Sequence, residues 1–140
     1  MRFWDSSALV PLVLRQPASD AVRGLFKSDP QILAWTLSDV EIRSSICRLL
    51  REGSIDAAIA DEAAADFKML WSRSLIIQTV DAAKERAKRL LGLHPLHAAD
   101  ALQLGAALVA AYDQPLGSEF VSLDARLSDA ANREGFRVLP

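Results

Sequence analysis

The chain has 140 residues, 51% of them hydrophobic and 24% charged, which is enough for one domain with a real core and too few for two. That balance excludes intrinsic disorder, collagen-like repeats and coiled coil as the dominant state. Sixteen Lys and Arg against eighteen Asp and Glu leave a net charge of −2, which speaks against tight, non-specific attachment to nucleic acid or to a membrane through a basic surface.

Strand-like and helix-like segments alternate along the chain, a pattern that favours a parallel sheet with helices on both faces. Arg2 to Trp4 reads as a first strand and Ser6 to Leu14 as a helix stopped before Pro17. A second helix covers Ala18 to Lys27, with Val22, Leu25 and Phe26 inward, and ends at Asp29-Pro30. Gln31 to Trp35 is a second strand. Ser38 opens a helix that runs to about Glu52 and closes at Gly53. Ile55 to Trp71 is a long alanine-rich helix, and Leu75 to Thr79 a third strand. Ala83, Ala87, Leu90 and Leu91 give Asp81 to Leu91 a helical period. Pro95 suits the first turn of a helix that reaches Tyr112. A turn at Asp113 to Gly117 leads to strand Glu119 to Ser122, helix Asp124 to Arg133 and a last strand, Phe136 to Leu139. Five short strands among seven helices leave no room for a second domain.

Cys47 is the only cysteine, so it forms no internal disulfide and anchors no cysteine-rich zinc site; it reads as a small buried apolar residue of a helix. The start of the chain lacks the shape of a signal peptide, with Asp5 directly after Phe3-Trp4. The most apolar stretch, Ala98 to Tyr112, contains Asp100 and Gln103 and is too short to span a bilayer. The expected setting is a soluble protein of a reducing cytoplasm.

Four acids fall where a parallel sheet gathers ligands. Asp5 follows the first strand, and Asp124 stands just beyond the fourth. Strand C-termini share one edge of such a sheet, and ligands bind in the crevice there. Glu41 lies in the first turn of a helix that follows a strand, so it starts from the same edge. Asp100 lies one turn into its helix and is the only charge between His97 and Asp113. Structural explanations compete. Asp5 and Asp124 could each cap a helix, and Ser38 with Glu41 has the spacing of a capping box. Asp100 is harder to explain that way, because an unpaired carboxylate in so apolar a helix is costly unless it faces a cation or water. Several carboxylates without a Cys/His cluster select hard cations, Mg²⁺ or Mn²⁺, over zinc. Such a site suits phosphodiester hydrolysis.

At these residues the chain resembles the PIN domains, and more narrowly the VapC ribonuclease toxins of type II toxin–antitoxin operons. The resemblance rests on RFWDSSALV, SDVEIRSSICRLLREG, HPLHAADALQLGAAL and FVSLDARLSDAANREGFRVL, four blocks in the family's order across essentially the whole chain. It implies an acidic metal site at Asp5, Glu41, Asp100 and Asp124, with Asp5 and Asp100 as direct Mg²⁺ (or Mn²⁺) ligands. Asp124 would hold a second ion or orient the first through water. Ser6 and Ser122 match the family's small hydroxyls beside the first and last Asp and would support a carboxylate or the scissile phosphate. Gln103 stands where many relatives have His, one turn from Asp100, and Ser122 replaces a common Thr. The resemblance also implies a three-layer α/β/α fold with a central parallel sheet of four to five strands, and a homodimer. A cognate VapB-type antitoxin would place a basic side chain in the acidic pocket. The implied activity is metal-dependent endonucleolytic cleavage of RNA.

Other residues have simpler readings. His94 and His97 read as polar helix-start residues, since no further soft ligand accompanies them. Lys84, Arg86, Lys88 and Arg89 read as a solvated helix face. Arg15, Arg43 and Arg126 lie near the active edge in sequence and are candidates for phosphate contact. Trp4, Trp35 and Trp71 read as core or dimer-interface residues, and Asp39, on the other side of its helix from Glu41, stays outside the site. Alternative functions are a PIN-like nuclease of RNA processing or DNA repair, a non-nuclease Mg²⁺-binding regulator and a catalytically dead interaction module. A phosphate-accepting receiver would need an acidic pair after the first strand, where Asp5 is followed by Ser6 and Ser7. Set aside the four acids and the rest of the chain carries +2. The acidity is concentrated rather than spread.

Overall fold

The structure is a computed structural model that describes residues 1–140. In chain order it comprises β1 (Arg2–Trp4), α1 (Ser6–Val13), α2 (Ser19–Ser28), β2 (Leu33–Trp35), α3 (Ser38–Arg51) and α4 (Ala57–Trp71). There follow β3 (Leu75–Ile77), α5 (Val80–Leu93), α6 (Ala98–Ala110), β4 (Glu119–Val121), α7 (Ala125–Glu134) and β5 (Arg137–Leu139). All five strands are parallel, in the order β3-β2-β1-β4-β5, with Phe3 opposite both Leu33 and Phe120.

The two-residue period of the strands divides the interior into two cores. Phe3, Leu33, Trp35 and Phe120 point to one face, where Leu90 of α5, Leu104 of α6 and Leu127 of α7 cover them. Trp4, Ala34 and Val121 point to the other, against Leu9 of α1, Val22 of α2, Ile42 of α3 and Phe67 of α4. The result is the three-layer α/β/α arrangement expected of a PIN-like fold, with five strands in its sheet. Phe3 and Phe120 stack at 5.4 Å between ring centroids, pinning the β1–β4 pair at the centre.

α5 and α6 pack through small residues. A Cβ built on Gly105 would come 2.6 Å from the Ala83 carbonyl oxygen, so only glycine permits this approach. α7 ends at Gly135, whose φ of 103° is left-handed and lets Phe136 N–H reach the Ala131 carbonyl at 3.0 Å.

Several boundaries differ from the sequence reading, each for a local reason. Pro95 lies outside α6, whose N-cap is His97. Asp56 caps α4 by accepting from Ile59 N–H at 2.8 Å, so that helix starts at Ala57 rather than Ile55. The second strand keeps only the last three of its expected residues, LAW, and the third only the first three, LII, the stretches whose partners lie opposite one another. Cys47 is half-buried and not a core residue. It sits beside Val40 and Ser44 along a shallow cleft. Trp4 and Trp35 are fully buried core residues, while Trp71 packs at the margin against Phe67. No helix is long and apolar enough to cross a membrane.

Candidate active site

The chain runs from β1 outward to β2 and β3, then returns to lay β4 and β5 on the other side of β1. This reversal makes the β1–β4 boundary the topological switch point, the place where an open parallel sheet parts its loops and binds ligands. Asp5 leaves β1 and Asp124 leaves the segment after β4 at that point.

Asp5 is only 3% exposed. It caps α1, with Oδ2 accepting from Ser7 N–H at 3.2 Å, from the Ser7 hydroxyl and from Ser122 Oγ at 3.0 Å. Oδ1 has only a long contact with Ser6 Oγ at 3.4 Å. Burial pushes its carboxyl up to about 6; the hydrogen bonds from Ser7 and Ser122 oppose the rise, and the charge of Glu41 adds to it. Capping and site membership therefore coincide in this residue.

Glu41 shows the opposite outcome. The expected capping box does not form, because the N-cap of α3 is Leu37 and makes no side-chain bond. Ser38 Oγ instead accepts from Gln103 Nε2 at 2.9 Å. Glu41 Oε2 accepts from the same Nε2 at 3.0 Å and from the Ser6 hydroxyl. A carboxylate that could have served its own helix end is turned toward α1 and α6.

Asp124 caps α7, accepting from Leu127 N–H at 2.8 Å, while its own N–H donates to Ser122 Oγ at 3.1 Å. Ser122 thus joins the loop after β4 to Asp5. Asp100 stands in the first turn of α6. Partial burial raises its pKa and the charge of Asp124 raises it further, while the His97 backbone and the charges of His97 and Arg126 act the other way.

The four acids therefore stand as two mutually repelling pairs, Asp5 with Glu41 and Asp100 with Asp124. A serine relay, Ser6 to Ser122 through Asp5, connects Glu41 to the Asp124 loop. Asp5 and Glu41 are each held chiefly through one oxygen, leaving Asp5 Oδ1 and Glu41 Oε1 without a close protein donor. As they stand, no three His, Cys, Asp or Glu side chains are grouped closely enough to hold a metal ion. The donor set itself is all carboxylate and hydroxyl oxygen, which fits a hard divalent cation and not zinc.

Ser7 belongs to this constellation and escaped the sequence reading. Its hydroxyl donates to Asp5 and accepts from Leu123 N–H at 2.9 Å, tying α1 to the loop after β4. The available signal was its position two residues after a helix-capping Asp, where an Asx turn forms.

The three arginines separate. Arg126 Nη1 lies 3.3 Å from His97 Nε2 on the exposed rim beside Asp100 and Asp124, and makes no ion pair with a carboxylate. Arg15 lies beyond the far end of α1 and is paired with Asp20 at 2.7 Å, away from the strand ends. Arg43 lines a cleft between α3 and α4 with Asp39, Phe67 and Trp71. His94 is not a helix-start residue but the C-cap of α5, bonded through Nε2 to Glu134 at 2.7 Å; His97 is the N-cap of α6. Lys84, Arg86, Lys88 and Arg89 each pair with a carboxylate, as a solvated helix face should.

No protein-family model matches the chain, and no curated protein matches it by sequence. Among solved structures, FitAcB from Neisseria gonorrhoeae is similar, with a TM-score of 0.67 and 16% identity over 100% of this chain and 97% of that chain. At that identity the likeness concerns the fold, and the fold is PIN-like.

Proposed function

We propose that this chain is a Mg²⁺- or Mn²⁺-dependent endoribonuclease that acts as the toxin of a toxin–antitoxin pair. The observation that carries the reading is Asp5, buried at the β1–β4 switch point with its carboxyl raised to about 6 and the charge of Glu41 adding to the rise. A buried acid repelled by a neighbouring acid is an unfavourable arrangement that a bound divalent cation relieves.

Asp5 and Asp100 are the proposed direct ligands, with Glu41 and Asp124 completing the set. Held by these carboxylates, a Mg²⁺ or Mn²⁺ ion would supply Lewis acidity toward a phosphodiester and toward an attacking water. Ser6, Ser7 and Ser122 hold the carboxylates in place before substrate arrives, so little reorganisation is needed on binding. Arg126 and His97 stand on the rim, where a guanidinium without a carboxylate partner suits an RNA phosphate. The same acidic cluster suits a basic side chain of an antitoxin. A homodimer is the proposed assembly, and the cytoplasm the proposed setting.

The test is cleavage of RNA by purified, antitoxin-free protein. Wild type should cut with Mg²⁺ or Mn²⁺ and stop on chelation, and Asp100→Asn should lose at least ~10²-fold in kcat. No metal-dependent cleavage, or equal cleavage by the variant, would sink the reading. Growth arrest on expression, relieved by a small protein encoded beside it, separates a toxin from a nuclease of RNA processing or DNA repair. Arg126→Gln should raise KM with little change in kcat. It should also reduce the salt slope of single-stranded RNA binding by about 0.7, the equivalent of one phosphate contact. An unchanged slope would remove Arg126 from the interface.

A further inference from the structure

Gln103 is 1% exposed in the middle of α6, among Ala101, Leu104 and Ala106, where packing alone would favour an apolar side chain. Its Nε2 spends both protons on the first turn of α3, at Ser38 Oγ (2.9 Å) and Glu41 Oε2 (3.0 Å). α3 and α6 cover opposite faces of the sheet, so this one amide links two layers at the first turn of α3. Its Oε1 is buried and accepts from no protein group. Turning the amide over would not cure that vacancy without setting two acceptor oxygens, Oε1 and the Glu41 carboxylate, against each other. The orientation is therefore dictated by Glu41, and an unsatisfied buried acceptor is tolerated to keep it.

The second bond to Glu41 points the same way. Ser6 Oγ from α1 and Gln103 Nε2 from α6 converge on the same carboxylate oxygen, Oε2, while Oε1 accepts from no protein donor. Two donors on one oxygen fix the plane of the carboxylate and leave its other oxygen free to face a ligand. Second-layer hydrogen bonds of this kind orient carboxylates and tune what they bind.

We propose that Gln103 is a positioning residue: it fixes the Glu41 carboxylate, with Ser6, so that Oε1 is presented to the acid site. The proposal builds on the metal-dependent nuclease reading of that site. It separates positioning from folding, because the same amide that orients Glu41 leaves its own oxygen unsatisfied. Gln103→Met fills the same space without donor or acceptor. Its melting temperature should stay close to that of wild type, because loss of the orphaned oxygen is offset by leaving the buried Ser38 hydroxyl without its partner, yet it should bind Mn²⁺ ~10-fold or more weakly by calorimetry. Its kcat on RNA should fall by a similar factor with KM unchanged.

A double-mutant cycle makes the dependence on Glu41 explicit. If Gln103 acts through that carboxylate, Gln103→Met should change neither Mn²⁺ binding nor kcat further in a Glu41→Gln background. Equal losses in both backgrounds would overturn the proposal, as would wild-type Mn²⁺ affinity in Gln103→Met alone. A loss of melting temperature in step with activity would assign Gln103 a merely structural role. Should the wild-type chain neither bind Mn²⁺ nor cut RNA, the nuclease reading falls by itself. The crystal structure of Gln103→Met then still decides the positioning claim: Glu41 displaced from Ser6 supports it, and Glu41 unmoved refutes it.

Discussion

Asp5→Asn should make the metal-free protein more stable at about pH 8 and, if the chain is the proposed nuclease, should sharply slow RNA cleavage. The Asp5 carboxyl titrates at about 6 in the folded chain, against an ordinary 3.8. Between those values the native state holds a proton that the unfolded chain has released. Stability therefore falls as pH rises through this window, and the loss is complete above it. The full penalty is about 3 kcal/mol for a shift of that size. Asparagine keeps an oxygen for Ser7 and Ser122 to donate to and carries no charge. In chelator at about pH 8 it should recover roughly 2 kcal/mol, or ~6–8 °C in melting temperature for a chain of this length. At about pH 4, where aspartic acid is largely neutral in the fold, the advantage should nearly vanish. On the nuclease reading, kcat should drop by ~10³-fold, since a direct ligand is lost. Melting curves across the pH range check the first half, and single-turnover cleavage the second. A variant that melts below wild type at about pH 8 would show that Asp5 is held as a structural anion.

Gly105→Ala should be the most damaging single-methyl change in the molecule. The new Cβ would meet the Ala83 carbonyl oxygen at 2.6 Å and the Ala87 nitrogen at 3.2 Å, both backbone atoms that cannot swing aside. α5 and α6 must then separate, opening the interface that covers Leu90 and Leu104. Overpacking of this kind costs about 3 kcal/mol, well beyond the small gain alanine brings through helix propensity. α6 also carries Asp100 and Gln103, so activity at a temperature where the variant remains folded should fall as well. Chemical denaturation checks the stability, and a midpoint within error of wild type would mean that the helices tolerate the extra methyl. Gly24→Ala is the control, because nothing lies within 4 Å of a Cβ there.

How far the sequence discloses this molecule depends on the range of the interaction. Strand and helix identities are local and legible: the alternation of Phe3 with Trp4, and of Leu33 with Ala34, already separates the two faces of the sheet. Asp5 and Asp124 could be placed at the switch point because strand ends and parallel topology suffice to bring them there. Glu41 was legible as a candidate but not in its contacts. Ser38 with Glu41 has the spacing of a capping box, and only the long-range arrival of Gln103 and Ser6 draws both side chains away from the helix end. His94 and Arg15 failed for the same reason in reverse. Their partners, Glu134 and Asp20, are set by packing or by a turn that periodicity does not encode. One helix start slipped where a cap outranked the hydrophobic pattern, at Asp56, and another at His97, where the N-cap falls two residues after Pro95 and makes no side-chain bond.

The return of the chain to β1 has a consequence during synthesis. Ser122 reaches Asp5 from 117 residues away, across a strand pair that forms only once β4 has been made. The ribosome delivers Asp5, Glu41 and Asp100 first, but without β4 the strand β1 lacks one of its two partners and Asp5 has the Ser7 hydroxyl without that of Ser122. Parallel pairings between distant segments form late. A partly made chain therefore carries Asp5, Glu41 and Asp100 without the β4 contacts that complete their setting, so on the nuclease reading a nascent chain stays inactive until β4 pairs with β1.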